Sequence, residues 1–173
     1  DYESFLKLKP MTPFSSEITD YLNALSIEIN KDPNIQAFPD VRTFSFFCRK
    51  ANLLLLKKKY HDCGVLKLGR GLVFHIAPSN VPVNFAFSLM ISLLSGNFNI
   101  VRLPSQKFAQ TEIIVDAINK LAQVPKYSNI TNRIVIVNYD HDSDVTDFFS
   151  SDCDVRIIWG GNETIDKVRQ SLL

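Results

Sequence analysis

The sequence lacks a dominant charge. Its 19 basic and 18 acidic residues leave a net charge of +1, which provides no global field for nucleic acid or an anionic membrane. No nucleic-acid partner is expected. It also lacks an apolar run of membrane length, because "VNFAFSLMISLLSG" (83–96) is interrupted by Ser and Asn and falls short of the ~20 residues a bilayer span requires. No signal peptide opens the chain: "DYESFLKLKP" is charged and has no apolar centre. Opening on Asp1 rather than Met sets the expectation of a processing boundary. Cys48, Cys63 and Cys153 are odd in number and show no CxxC spacing, so neither a disulfide framework nor a zinc site is implied. No metal site is expected, and a reducing, cytoplasmic setting is. The G-x-G-x-x-G dinucleotide fingerprint, internal repeats and low-complexity segments are absent as well.

What is present has the proportions of a globular domain: 173 residues, 46% apolar and 21% charged, enough to bury a continuous core. The N-terminal segment, 1–64, reads as helical. Ser15 or Ser16 can cap a helix carrying Ile18, Leu22, Leu25 and Ile29 on one face. A second helix is expected from Pro39, with Phe44, Cys48, Ala51 and Leu55 aligned, closing in "KKKYHDCG" at Gly64.

The pattern changes over 65–173. Strands are expected at 71–77, 99–105, 132–138 and 154–160, with helices at 83–96, 108–123 and near 143–150, and a last one starting in "NETIDKVRQSLL". Such alternation implies right-handed crossovers and a doubly wound, mostly parallel α/β sheet preceded by N-terminal helices. Ligands of such sheets bind at the carboxyl ends of the strands, which is where "APSNVP" falls.

Pro78 and Pro82 restrict the backbone on either side of Asn80. A side-chain amide held there can donate to a developing oxyanion. On residue type alone, Ser79 and Asn80 equally read as caps of the next helix. "YDHDSD" (139–144) groups three Asp with His141, a divalent-cation pattern whose plainer reading is a solvated loop with a helix cap. "RKANLLLLKKKY" alternates basic and apolar blocks, which suits acyl-CoA phosphates or a membrane surface but is more simply a helix with one buried face.

"PSNVP", a buried helix, "GNFNIVRLPS" and a strand ending "WGGNET" occur in an order that resembles the aldehyde dehydrogenase superfamily. More closely, "FPDVRTFSFFCRKANL" and "GLVFHIAPSNVPVNFAFSLMISLLSGNFNIVRLPS" resemble the acyl-CoA reductase family that includes the fatty-acid reductase component of bacterial luminescence systems. The resemblance covers most of residues 15–170. It implies an aldehyde dehydrogenase-like, Rossmann-type cofactor-binding domain whose first part is 65–173.

The resemblance further implies roles. Asn80 stabilises the oxyanion; Ala77, Pro78 and Ser79 lie along a nicotinamide dinucleotide; Arg102 and Ser105 face its adenosine ribose. A guanidinium at 102 also suits a 2′-phosphate, hence NADPH with NADH as the alternative; a plain strand-end charge is the competing reading. Gly160 and Gly161 let the backbone approach a pyrophosphate at a helix N-terminus, or form an ordinary turn. Trp159 and Gly161 stand where the superfamily has Thr and Ser, so a hydroxyl contact to phosphate is missing. None of the three cysteines occupies the position of the superfamily's nucleophile.

The expectation is therefore an N-terminal part of an NADPH-dependent reductase of a fatty acyl thioester, inactive alone. Its implied partners are the thioester, an acyl-transferring enzyme subunit and, at full length, further copies of itself. The contrasting expectation is a non-catalytic binding or assembly module derived from such a domain.

Overall fold

The computed structural model describes residues 1–60, 65–139 and 143–169. Among them, β1 (Leu72–Ile76), β2 (Phe98–Leu103), β3 (Ile134–Asn138) and β4 (Val155–Ile158) form one sheet in the order β3-β2-β1-β4. Every pairing is parallel. This is the order of the first four strands of a doubly wound dinucleotide-binding sheet. The expected strands are all found, each end within two residues of its expected place, β2 stopping just before Pro104, which offers no N–H to a ladder.

Helices cover both faces. α5 (Asn84–Leu94), α6 (Ala109–Ala122) and, through Ile130, the short α7 (Ser128–Thr131) join Val101 and Leu103 in one core; Leu72, Phe74, Ile76, Phe98 and Ile100 point the other way and form a second. The second core is completed by α1 (Tyr2–Leu6), α8 (Ser143–Asp152) and Val168 of α9 (Asn162–Arg169). β1 and β2 are buried along their whole length, whereas the outer strands β3 and β4 are half-exposed. That difference follows from their central and edge positions.

The N-terminal helices pack on the first core. α2 (Ser16–Ile29) begins where Ser15 accepts from the Ile18 N–H at 3.4 Å, and it buries Ile18, Leu22, Leu25 and Ile29. The helix expected from Pro39 is instead two helices, α3 (Pro39–Phe47) and α4 (Lys50–Tyr60). Both broken ends have partners. Asn23 of α2 accepts from the Lys50 N–H at 2.9 Å, and the Asn52 side chain donates to the Phe46 carbonyl at 2.6 Å. The break rotates the apolar stripe, so Phe44 and Cys48 are buried while Ala51 and Leu55 are exposed. The expected closure at Cys63 and Gly64 lies outside the described residues.

Candidate functional site

The carboxyl edge of the sheet collects the residues that the sequence singled out. β1 leads into the segment from Ala77 to Val83, which is tied down at both ends. The Ala77 N–H donates to the Arg102 carbonyl at 3.1 Å, and the Thr111 hydroxyl of α6 donates to the Pro82 carbonyl at 3.1 Å. Between these anchors Ala77 and Pro78 are half-buried and Ser79 and Asn80 exposed. The capping alternative for Ser79 and Asn80 fails: the cap position of α5 is Val83, and no side chain bonds to the helix start.

On one side of β1 stands the end of β2. Arg102 is only 9% exposed, with its Cζ 4.8 Å from the Tyr139 ring centroid and Nη2 donating to the Tyr139 carbonyl at 3.4 Å. A bare surface charge is thereby excluded. Ser105 is exposed just beyond. On the other side of β1 stands the end of β4, where the Trp159 N–H extends the ladder to the Ile76 carbonyl at 3.0 Å. Gly160 and Gly161 follow, both exposed.

The strand order reverses between β1 and β4, the place where open sheets leave a crevice for a ligand. Gly161 supports such use, since a Cβ built there meets nothing within 4 Å. Its carbonyl accepts from the Ile165 N–H at 3.1 Å at the start of α9, where the first amides face outward from the helix end. Glu163 occupies the same first turn, so a phosphate bound there meets a carboxylate as well as amide donors.

A buried polar chain runs from this crevice into the sheet. The Trp159 indole N–H donates to Ser88 Oγ of α5 at 3.2 Å; Ser88 lies 2.8 Å from His75 Nδ1, and His75 Nε2 lies 3.0 Å from Asn99 Oδ1. An indole can only donate. Asn99 Oδ1 can only accept, so the neutral His75 carries its proton on Nε2, and Nδ1 accepts the Ser88 hydroxyl proton. Asn99 in turn donates to the Asn97 carbonyl at 3.3 Å. Burial holds His75 well below the ordinary histidine range, at about 4, against a smaller opposing effect of the Asn99 bond. It is neutral at physiological pH.

Sequence reasoning assigned no role to His75, Ser88 or Asn99. Their signal was available: each is a polar side chain inside an otherwise apolar strand or helix, and buried polar groups demand partners.

The described thiols do not reach this edge. Cys48 is buried in the helical core, its pKa raised by desolvation; Cys153 precedes β4 at the amino side and is raised for the same reason. Cys63 lies outside the described residues, as do Asp140, His141 and Asp142 of the acidic cluster. Among the described residues, no group of three His, Cys, Asp or Glu side chains is placed to hold a metal ion, and no helix is long and apolar enough to cross a membrane. A groove of about 620 Å³ beside α1 and the start of β3, lined by Phe5, Leu8 and Ile134, lies at the opposite end of the sheet.

Comparison with known proteins bears on the same segment. The profile of the family described as acyl-CoA reductase (LuxC) matches residues 56–172, from α4 through α9. The chain is 29% identical over 107 residues to a long-chain acyl-protein thioester reductase of Aliivibrio fischeri, covering 60% of this chain and 22% of the relative. A long-chain acyl-protein thioester reductase 2 of Photobacterium leiognathi matches with the same identity and coverage. The chain thus spans about a fifth of the length of these curated relatives.

Proposed function

Because the chain belongs to the acyl-CoA reductase (LuxC) family, we propose that it forms the cofactor-binding part of a cytoplasmic, NADPH-dependent reductase that converts a fatty acyl thioester to an aldehyde. The observation that carries this reading is the place of Asn80: exposed, between two prolines, at the carboxyl end of β1 where the strand order reverses. A carbonyl brought there develops negative charge on oxygen when a nucleophile or hydride adds. The Asn80 amide, held on an anchored loop, donates to that oxygen in the transition state.

NADPH, when bound, supplies the hydride. The residues suited to hold it are Ala77, Pro78 and Ser79 under the dinucleotide, Arg102 and Ser105 at its adenosine end, and Gly160 and Gly161 at the pyrophosphate. Arg102 has to turn from Tyr139 to take a 2′-phosphate. NADH, lacking that phosphate, is the weaker ligand.

In the overall change, hydride adds to the acyl carbon, the carbon–sulfur bond breaks, and the departing thiolate takes a proton. The nucleophilic thiol that carries the acyl group is assigned to sequence outside this chain, because the described thiols are buried or face the wrong edge. The names of both relatives favour an acyl group delivered on a protein, hence an acyl-transferring partner rather than CoA alone. Assembly of several copies at full length belongs to the same reading.

The test is a titration of the purified chain with NADPH and NADH. Saturable binding, tighter for NADPH, supports the reading. Binding of neither nucleotide would sink it and leave a non-catalytic module.

A further inference from the structure

Three polar side chains, His75, Ser88 and Asn99, are buried to 5% exposure or less between β1, β2 and α5. Each is satisfied, yet a fully apolar packing at the same positions is ordinarily no less stable, and a half-satisfied network is worse. Folding alone does not call for this chain. Its outer end does suggest a use: it terminates at Trp159, the single tryptophan of the sequence, which is 43% exposed.

The geometry of the strand ends says what the ring faces. Trp159 lies one residue beyond β4, whose Ile157 pairs with His75, and its indole reaches α5 on the same face of the sheet as the His75 ring. The indole therefore stands half-exposed beside the carboxyl end of β1, at the point between β1 and β4 where the strand order reverses. Arg102 and Ser105 lie at the end of β2, on the far side of β1. Neighbouring strands are about 4.8 Å apart, so a dinucleotide with its adenosine over β2 must carry its second base across β1 to the β4 side. That is where Trp159 is held.

We propose that Ser88, and through it His75, are positioning residues that fix the Trp159 indole as the wall against which the nicotinamide ring packs. This rests on the dinucleotide reading given above. Ser88 Oγ accepts from the indole N–H and bonds His75 Nδ1 at the same time, so the imidazole fixes the hydroxyl that holds the indole. An unsupported indole is free to swing out of the crevice.

The experiment compares two ligands on the purified chain: NADPH, and 2′-phospho-ADP-ribose, which has the same adenosine and pyrophosphate but no nicotinamide. Ser88→Ala and Trp159→Ala should each weaken NADPH about three- to tenfold, the worth of one aromatic packing contact. Binding of 2′-phospho-ADP-ribose should change less than about twofold on the same grounds. Ser88→Thr, which keeps the hydroxyl, should restore NADPH binding. Acrylamide quenching of the single tryptophan should rise in Ser88→Ala and return in Ser88→Thr. Equal losses for both ligands, unchanged NADPH binding, or no rescue by Thr would overturn the inference while leaving the dinucleotide reading intact. Failure of the unaltered chain to bind either ligand would instead overturn the dinucleotide reading, and this inference with it.

Discussion

His75 on β1 and Asn99 on β2 face each other at 3.0 Å with no measurable exposure; burial holds the imidazole neutral, against the smaller opposing effect of the Asn99 bond. The consequence is a pH-dependent stability. In the unfolded chain the ring titrates near 6.5, whereas in the fold it is pulled down to about 4.

The contribution of His75 is therefore fully present above pH 6.5 and is lost as pH falls toward 4, because the unfolded chain takes up a proton that the fold refuses. The loss amounts to about 1.4 kcal/mol per pH unit across that window. Urea midpoints of the chain at pH 7, 6 and 5 should fall accordingly, and His75→Gln, which cannot titrate, should lower the slope. An unchanged slope in the variant would show that the ring is not the group responsible.

On the proposed reading, Asn80→Ala in the full-length enzyme should reduce acyl-thioester turnover roughly 100- to 1,000-fold, the usual effect of removing one oxyanion donor. NADPH affinity should stay within about twofold, since the amide acts in the transition state. Steady-state kinetics together with equilibrium binding measure both; full turnover in the variant removes Asn80 from the mechanism.

Arg102→Ala should weaken NADPH by about tenfold or more while leaving NADH nearly unaffected, as expected for loss of charge-assisted bonds to one phosphate. Parallel titrations decide the point. Equal losses would mean that the 2′-phosphate is not read at this position.

Gly96→Ala should be strongly destabilising. Gly96 has φ +88°, and a Cβ there falls 2.0 Å from the Met11 carbonyl oxygen, a backbone atom that cannot rotate away. Strain and overpacking together predict a loss of roughly 2–5 kcal/mol, visible as a lowered thermal midpoint. A variant as stable as the parent would require the N-terminal segment to shift from its place against α5.

Much of the fold was legible because its signals are local. Ser15 with Ile18, Leu22, Leu25 and Ile29 is a complete helix signature, and the apolar runs of β1 and β2 are bounded by glycine and proline. The break between α3 and α4 was not legible, because the partner of the Lys50 amide is Asn23, 27 residues away. The periodicity runs through the break unchanged. The Pro-flanked Asn80 could be placed at the strand end from sequence, but the support of Trp159 could not: Ser88 and Trp159 are 71 residues apart, and only the parallel pairing of β1 with β4 brings them together.

Helix α1 has an uneven history in a growing chain. It is made well before its anchors: Phe5 packs edge-on against Phe98 with centroids 5.4 Å apart, and the Tyr2 hydroxyl donates to Asp152 at 2.8 Å, 150 residues downstream. At ribosomal speeds of about 5–20 residues per second, Tyr2 waits roughly 8–30 s for Asp152. Five residues cannot hold a helix over that interval. Its apolar side chains are thus presented to the cell before the surface that buries them exists.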